Sequence, residues 1–388
     1  NTCGFLESAR EESVDVILDA GELRKSNQVE KLVVMGCFSD RYGSELHGEL
    51  PEVDAFFGTD DHAAVLSYLT GKSHTKDDPD YFRSLLTPKH YAYLKIAEGC
   101  DNGCSFCSIP QMRGLQKSRS IEAIESEALR LVENGVKEIL IIAQDTTSYG
   151  WDLKPKKYLG ELISTLDKIG DPLRWIRLHY AHPAHLHRAM IQRFYQLEKL
   201  IPYIDMPVQH GSEKMLKDMR RGLGPDGIKR RIDDLRKQNP DIAIRTSIIV
   251  GFPGETETEF NETLSVMEEI KFDSAFNFKY SPRRGTKASE YDDQIAEDVK
   301  QDRLSRVIEL QKKHTLERNL DLVGTTQIVL VEKESKRSNQ QWAGRTDSNK
   351  WVIFDKKDVH IQDMIPVQIR EAKGITLRGE LLNQAEAA

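Results

Sequence analysis

The sequence predicts an α/β protein built around a partial barrel of parallel strands, with a small α/β domain before it and a small β-barrel after it. Three observations lead to this prediction. Strand-like and helix-like stretches alternate through the middle of the 388-residue chain, as expected of βα repeats. Two short apolar stretches lie between helical patterns near the start. Several short β patterns follow one another near the end.

The central repeats contain six strand candidates that are rich in β-branched and aromatic residues. They are YAYLKIA from Tyr91, KEILIIA from Lys137, LRWIRLH from Leu173, YIDMPV from Tyr203, IAIRTSIIV from Ile242 and FDSAFNFKY from Phe272. One intervening helical pattern opens with a serine cap at Ser120 and stops at Gly135, and another opens at Thr256 with acidic residues. Six βα units predict a partial (β/α)6 barrel over residues 86–316, two units short of a full (β/α)8 barrel.

The flanking regions have their own patterns. Residues 1–75 contain KLVVMGC and VDAFFG between helical stretches and form the predicted N-terminal domain. The polar stretch SHTKDDPDYFRSLLTPKH is the expected linker. After the barrel, one long helix is predicted to end near Gly324. TQIVLVEK, KWVIFDK and IPVQIREA then predict a small β-barrel within a C-terminal domain of residues 317–386.

The composition is that of an ordinary globular protein, with 39% hydrophobic residues, 30% charged residues and a net charge of −7. No apolar run approaches the roughly 18 residues of a membrane span. The chain begins at Asn1 without the basic region of a signal peptide, so its start is expected to be a truncation. Five cysteines favour metal or redox use over disulfides, and a cytoplasmic location is expected.

Three of the cysteines, Cys100, Cys104 and Cys107, lie within eight residues in EGCDNGCSFCSIPQMRG, after a predicted barrel strand. Three thiolates on a four-iron cluster leave one iron open to a substrate or cofactor. Structural zinc sites take four ligands, and ordinary ferredoxin clusters take four cysteines. No fourth Cys or His follows at such spacing. The pattern therefore favours an open cluster, with structural zinc and plain structural thiols as the alternatives.

These motifs resemble a known family. CDNGCSFC, with Phe106 before its last cysteine, resembles the signature of radical S-adenosyl-L-methionine (SAM) enzymes. NTCGFLESAREES, VMGCFSDRY, IIAQDTTSYGWDL, YIDMPVQHGS and RTSIIVGFPGET together resemble the methylthiotransferases of that superfamily. These blocks are most similar to the branch that modifies an aspartate of a small-subunit ribosomal protein. From about Phe276 onward, FNFKYSPRRGTKASEY and AGRTDSNKWVIF resemble the sister branch that modifies tRNA. The last domain resembles the family's TRAM barrel.

The resemblance implies a cofactor set and a list of site residues. Cys100, Cys104 and Cys107 match the ligands of a 4Fe–4S cluster whose open iron binds SAM. Gln144 and Asp145 match the contact to the SAM amino group, and Gln209 matches a ribose-side position. Arg245 is a candidate partner of the SAM carboxylate. Phe106 and the glycines of GFPGE, Gly251 and Gly254, complete the cofactor-binding candidates. Apart from the cysteines, these residues also have ordinary explanations as turn or core residues.

Cys3 and Cys37 match two of the three cysteines that hold the family's auxiliary 4Fe–4S cluster, which delivers sulfur. The third matching cysteine is expected before Asn1 and is missing from this chain. Both thiols end apolar runs, so each is expected at the tip of a strand. The alternative is a pair of small buried hydrophobic side chains.

Two other motifs are weaker. His179, His182, His185 and His187 in RLHYAHPAHLHR suggest a metal site, but their spacing around Pro183 favours mouth-lining or surface residues. The basic run MRRGLGPDGIKRR is a possible phosphate contact, although a solvated helix face is the more common explanation.

The resemblance implies an enzyme that inserts a methylthio group at an unactivated C–H, the β-carbon of an aspartate in the ribosomal protein. The alternative substrate is a tRNA adenosine, with Lys336, Arg337 and Arg345 binding phosphates. A third hypothesis is a non-catalytic iron–sulfur or zinc RNA-binding module. The expected partners are the substrate and an electron donor such as flavodoxin or ferredoxin. A monomer without membrane contact is expected.

Overall fold

The N-terminal part of the computed structural model, which describes residues 1–75 and 84–382 of the chain, is a small α/β layer. Its elements are the helices Glu7–Lys25 (α1), Cys37–Leu46 (α2) and His62–Thr70 (α3) and the strands Val33–Met35 (β1) and Ala55–Phe57 (β2). The two strands pair in parallel, and Thr2 forms a single parallel bridge with Gly36. Val34, Phe38 and Tyr42 lie in a separate small core. The predicted N-terminal α/β layer is confirmed.

Six parallel strands form the largest sheet. The strands that follow β2 in the chain are Tyr91–Lys95 (β3), Ala97–Glu98 (β4), Lys117–Ser118 (β5), Glu138–Ile142 (β6), Trp175–Leu178 (β7), Leu200–Asp205 (β8), Ala243–Val250 (β9) and Ser274–Lys279 (β10). In the sheet the order is β10-β9-β8-β7-β6-β3, and every pairing is parallel. The six strands coincide with the six strand candidates, so the predicted (β/α)6 sheet is confirmed.

Helices connect these strands. They are Ile109–Arg113 (α4), Ile121–Glu133 (α5), Leu159–Leu166 (α6), Arg188–Gln196 (α7), Glu213–Asp218 (α8), Pro225–Gln238 (α9) and Glu257–Ile270 (α10). The Ser120 side chain accepts the Ala123 backbone N–H at the start of α5, as the cap predicts. Thr256 and Glu259 form a reciprocal capping box at the start of α10. The apolar sides of α5 and α10 pack into the main core with the outward faces of the strands.

A long helix, Glu297–Leu320 (α11), leads into the C-terminal β-barrel. The barrel closes in the order β11-β12-β13-β15-β14. Its strands are Thr326–Ser335 (β11), Ser338–Thr346 (β12), Trp351–Asp355 (β13), Met364–Lys373 (β14) and Thr376–Leu381 (β15). The predicted β-barrel is confirmed, but the sequence indicated only three of its strands. The strands β12 and β15 were missed because SNQQWAGRT and TLRGEL lack a clear apolar alternation.

A buried ionic network joins the amino ends of the parallel strands to the C-terminal barrel. Glu138 at the start of β6 pairs with Arg177 of β7 at 2.6 Å and with Arg345 of β12 at 3.0 Å. Arg345 also pairs with Glu332 of β11. Burial opposes the charge on Glu138, but the two arginines lower its pKa. Because Arg345 is buried in this network, the prediction that it binds a phosphate of tRNA is wrong.

The contacts divide the chain into two units. The cysteine unit comprises Asn1–Ser84, Glu98–Gln116 and Ser281–Glu290, and the barrel unit comprises Leu85–Ala97, Lys117–Tyr280 and Tyr291–Ala388. The three-domain division drawn from the sequence stays a prediction. The expected linker falls partly on residues 76–83, which lie outside the described residues. Within the described ranges, no helix is both long enough and apolar enough to span a membrane.

Candidate functional site

The loop that carries Cys100, Cys104 and Cys107 is folded by its own backbone. The Cys100 N–H donates to the carbonyl of Gly114 at 3.1 Å, and the Cys107 N–H donates to the carbonyl of Cys104 at 3.2 Å. The loop begins at Gly99, where φ is +77° and an added Cβ would lie 2.2 Å from the carbonyl oxygen of Leu115. Glycine is therefore required there. The Asn102 N–H donates to the sulfur of Cys100 at 3.4 Å, and such hydrogen bonds tune a metal-bound thiolate.

A second segment of the cysteine unit fastens this loop. The Ala288 N–H donates to the carbonyl of Ser105 at 2.9 Å, and the Gln111 side chain donates to the carbonyl of Gly285. Phe106, between these contacts in the chain, is half-buried. The loop is thus held at both ends and in its middle, so the three thiols have fixed backbone positions.

Cys3 and Cys37 lie in the same unit. Thr2 bridges Gly36 in parallel, and each cysteine is the residue that follows one member of this bridge. A Cβ on Gly4 would lie 2.9 Å from the carbonyl oxygen of Cys37, so the two segments are in close contact. Cys37 begins helix α2, which packs against α4 at the end of the Cys100–Cys107 loop. Neither thiol lies within a strand, although each follows a bridged backbone segment.

The donor set of the cysteine unit fits an iron–sulfur cluster. None of the five cysteines, all of which are described, forms a disulfide. In the described part of the chain, no three His, Cys, Asp or Glu side chains converge tightly enough to hold one metal ion. A single zinc ion requires that convergence, whereas a four-iron cluster takes each thiolate on a different iron atom. Three thiols held on one loop therefore suit three iron atoms of one cluster.

The barrel unit collects polar residues where its parallel strands end, which is the usual location of ligands in such sheets. Gln144 and Asp145 follow β6, and Gln144 is half-buried. The Asp145 carboxylate accepts the Thr147 N–H at 3.0 Å and pairs with Nδ1 of His185 at 2.6 Å. Burial opposes its charge, but the hydrogen bonds from His185 and Thr147 lower the pKa of Asp145. Asp145 is thus engaged on both oxygens within the chain.

The four histidines after β7 occupy different environments. The ring of His182 stacks on that of His185 at 4.6 Å between centroids, and Trp151 lies 4.9 Å from His185 on another side. Burial, reinforced by the charge of Arg221, lowers the pKa of His182 to about 3. His179 and His182 are buried and His187 is exposed. His187 is at the surface, as expected, and a mouth-lining position stays the prediction for the two buried residues, which follow the carboxyl end of β7.

The basic run MRRGLGPDGIKRR, residues 219–231, also differs from its expectation. Arg221 is buried, and its guanidinium donates to the carbonyl of Pro207 at 2.7 Å. Arg220 has φ +58°, so the chain turns there before α9 begins at Pro225. The basic run is therefore not one solvated helix face.

Gln209 follows β8 with φ +74°, and its backbone pairs with that of β9 through Ser247 and Ile249. The next residue, His210, is buried and lies 3.3 Å from the Glu255 carboxylate. Glu255 closes the GFPGE loop by accepting the N–H groups of Gly251 at 2.7 Å and Phe252 at 3.1 Å. The two loops after β8 and β9 are thereby joined through one carboxylate.

Arg245 is placed differently from the other cofactor-binding candidates. It lies inside β9 and not in a loop after a strand. Its guanidinium pairs with Asp205 at 2.7 Å and contacts Nδ1 of His179 at 2.8 Å. Burial lowers the pKa of His179, and the contacts with His179 and Arg245 lower that of Asp205 in spite of its burial.

Sequence patterns missed three residues of this region, His210, Glu255 and Arg303. Arg303 of α11 pairs with Glu255 at 3.0 Å across 48 positions of the chain. Glu255 belongs to the GFPGE motif, but only the glycines of that motif were predicted to bind the cofactor. His210 directly follows Gln209, which was predicted. Arg303 had no signal at all, because a charged residue on an amphipathic helix is usually solvated.

Three family models match the chain. The Radical SAM superfamily matches residues 94–267, the TRAM domain matches residues 321–382, and Uncharacterized protein family UPF0004 matches residues 1–58. The chain is also similar to a solved structure of the cobalamin-dependent S-adenosylmethionine radical enzyme OxsB. That match has a TM-score of 0.49 at 14% identity and covers 81% of this chain and 47% of the other.

Two curated relatives match nearly the whole chain. One, from Prosthecochloris aestuarii, is 41% identical over 98% of this chain and 88% of its own length. The other, from Clostridioides difficile, is 38% identical over 98% of this chain and 89% of its own length. The chain therefore belongs to the radical SAM methylthiotransferases and is a transferase. Both relatives bear the name ribosomal protein uS12 methylthiotransferase RimO.

Proposed function

We propose that this enzyme inserts a methylthio group at the β-carbon of an aspartate in ribosomal protein uS12. The observation that supports this proposal most strongly is the similarity to relatives named for uS12, which are 41% and 38% identical over 98% of the chain. Those alignments cover 98% of the chain, so they include most of the C-terminal barrel. A ribosomal substrate also favours a cytoplasmic location. A monomer and an electron donor such as flavodoxin or ferredoxin complete the proposal.

Cys100, Cys104 and Cys107 are the proposed ligands of the radical SAM 4Fe–4S cluster. When bound, the cluster supplies one electron to SAM, and SAM supplies the methyl group and the hydrogen-abstracting radical. The residues of this chain have to hold the thiolates in place and limit the access of water. The backbone hydrogen bonds of the cysteine loop and the buried position of Cys100 support that role.

SAM itself is proposed to bind to polar groups of the barrel unit. Gln144 is the proposed contact for the amino group, because the neighbouring Asp145 already holds Thr147 and His185. Gln209 is proposed for the ribose, and the loop with Gly251 and Gly254 for the adenine. Both glycines have positive φ, a backbone conformation that favours glycine and gives the loop its tight turn.

Arg245 stays a proposed partner for the SAM carboxylate. Its Nε is buried and has no hydrogen-bond partner within the described residues, although its Nη2 is held by Asp205. A guanidinium with an unused donor suits a carboxylate. Asp205 and His179 hold the guanidinium in one orientation, which limits the entropy lost when a ligand binds.

Cys3 and Cys37 are proposed as two of the three cysteine ligands of an auxiliary 4Fe–4S cluster that delivers sulfur. Their side-by-side backbone segments support this role, as does their position in one unit with the other three cysteines. Phe106 is proposed as a hydrophobic neighbour of the radical SAM cluster.

The cluster assignment is tested with Cys107→Ala and the matched control Cys37→Ala, each reconstituted with iron and sulfide without oxygen. Cys107→Ala should lose the reduced-cluster EPR signal of the radical SAM site and all production of 5′-deoxyadenosine. Cys37→Ala should still cleave SAM but insert no methylthio group. Normal SAM cleavage by Cys107→Ala would overturn the assignment.

A further inference from the structure

The GFPGE loop of the barrel unit is covered by the chain segment that starts helix α11. The Gly254 N–H donates to the carbonyl of Asp293 at 2.9 Å. A Cβ on Gly251 would lie 2.3 Å from Cγ of Lys300, and a Cβ on Gly254 would lie 2.3 Å from the carboxylate of Asp293. The loop therefore fits beneath this segment only because it carries glycine at both positions.

A buried ion pair between Glu255 and Arg303 also holds this loop. Glu255 has 1% of its surface exposed, and Arg303 of α11 reaches both its carboxylate, at 3.0 Å, and its backbone carbonyl, at 2.9 Å. A buried carboxylate needs such partners, because an unpaired charge in the interior is strongly destabilising. Arg303 thus compensates a carboxylate whose oxygens also hold the loop backbone.

His210 links this carboxylate to the loop after β8. Its Nδ1 accepts the Ser212 N–H at 3.0 Å, so Nε2 carries the proton and donates to Glu255 at 3.3 Å. Gln209, the proposed ribose contact, is the preceding residue and has φ +74°. A non-glycine residue keeps a left-handed backbone conformation only where the surrounding structure holds it, and that backbone sets the direction of its side chain.

We infer that Arg303 is a positioning residue for SAM binding: through Glu255 and His210 it sets the conformation of the adenine loop and of Gln209. This inference rests on the proposed function, which assigns those two loops to the SAM nucleoside. Among the described contacts, Arg303 reaches these two loops only through the carboxylate and the backbone carbonyl of Glu255. Its contribution is the pre-organisation of groups that bind the ligand.

Arg306, about one turn after Arg303 in α11, is a matched control. Arg306 pairs with Glu257 at 2.8 Å and covers the Phe260 ring at 4.4 Å, as Arg303 does at 5.4 Å. It makes no contact with Glu255 among the described ion pairs and hydrogen bonds. Arg303→Met and Arg306→Met therefore remove the same chemical group from the same helix, and only the first reaches the adenine loop.

The test measures SAM dissociation constants by equilibrium dialysis on anaerobically reconstituted protein, well below the unfolding midpoint. Arg303→Met should raise the Kd of SAM about tenfold, with 5′-deoxyadenosine production at saturating SAM nearly unchanged. Arg306→Met should change the Kd by less than about twofold. Arg303→Lys, which retains the cation, should recover most of the affinity.

A purely structural role gives a different pattern, with a lower melting temperature but the wild-type Kd in the folded protein. That result would overturn the inference. If Arg303→Met does not fold, Glu255→Gln replaces it in the test. This variant keeps a hydrogen-bond acceptor for the loop but loses the ion pair with Arg303. A wild-type Kd of SAM in Glu255→Gln would also overturn the inference. Failure of wild-type protein to bind SAM would instead refute the proposed function, so the two failures are distinguishable.

Discussion

At the amino ends of the parallel strands, Glu138 pairs with Arg177 and Arg345, and at the carboxyl ends Glu255 pairs with Arg303 and His210. Both carboxylates are buried, and among the described residues each pairs with two ionisable side chains. The first network joins the sheet to the C-terminal barrel and includes none of the residues proposed to bind SAM. The second network lies beneath loops proposed to bind SAM.

The difference concerns what each network holds. Arg177 also donates to the backbone carbonyls of Thr346 and Asp347, so the first network fastens one folded element to another. Glu255 accepts backbone N–H groups of the glycine loop that is proposed to bind the adenine. We therefore expect damage to the first network to lower stability and damage to the second to lower SAM affinity.

The largest effect is expected from Arg345→Met. The substitution leaves Glu332 buried without its arginine and Glu138 with one partner fewer. Removing one member of a buried ion pair costs about 3–5 kcal/mol of unfolding free energy. Urea unfolding followed by circular dichroism measures the loss, and the Kd of SAM should stay at the wild-type value.

The control for that prediction is Arg337→Met, in the exposed hairpin after β11. A surface substitution of this kind should change the unfolding free energy by less than about 0.5 kcal/mol. Equal losses for the two variants would mean that the amino-end network does not stabilise the joint between sheet and barrel.

A pH-dependent effect of intermediate size is expected at the carboxyl ends, where Arg221, Asp145 and His185 surround His182. The pKa of His182 falls from 6.5 to about 3 on folding, so the unfolded chain binds a proton that the folded chain does not in this range. Stability should therefore decrease as pH falls below 6.5, by up to about 1.4 kcal/mol per pH unit.

His182→Asn should flatten this part of the stability profile, whereas His187→Asn, at an exposed site, should leave it intact. Unfolding curves recorded at several pH values between neutrality and pH 4 supply the comparison. An unchanged slope in His182→Asn would show that another group titrates there.

The smallest effect is expected from the double variant Lys336→Gln and Arg337→Gln. Arg345 is buried, so these two residues are the exposed ones among the three that the tRNA alternative assigns to phosphate binding. Modification of uS12 should be unchanged. If tRNA were the substrate, the salt dependence of log affinity would instead decrease by roughly 0.7 to 0.9 for each lost contact, as measured by filter binding at several salt concentrations.

The sequence predicted elements well where local composition determines them. All six parallel strands were found because buried strands concentrate β-branched and aromatic residues. The cysteine loop was found because three thiols at short spacing have few structural explanations. The strand β12 was missed because its residues are largely polar and become half-buried only when the barrel closes.

The sequence was less informative about long-range charge pairs. Arg345 lies in a polar stretch that suggested a surface, and only the fold brings Glu138 to it across 207 positions. Arg303 and Glu255 are likewise joined only by the packing of α11. Whether an arginine binds a ligand, supports a loop or joins two elements depends on its burial and partners, which residue type and spacing do not specify.

The measurement that tests the central claim most directly is mass spectrometry of uS12 incubated with the anaerobically reconstituted enzyme, SAM and a reductant. The account predicts that one aspartate gains the mass of a methylthio group less one hydrogen, and that Cys107→Ala gives no product. Unmodified uS12 beside a thiomethylated adenosine in tRNA, from enzyme that cleaves SAM normally, would contradict it.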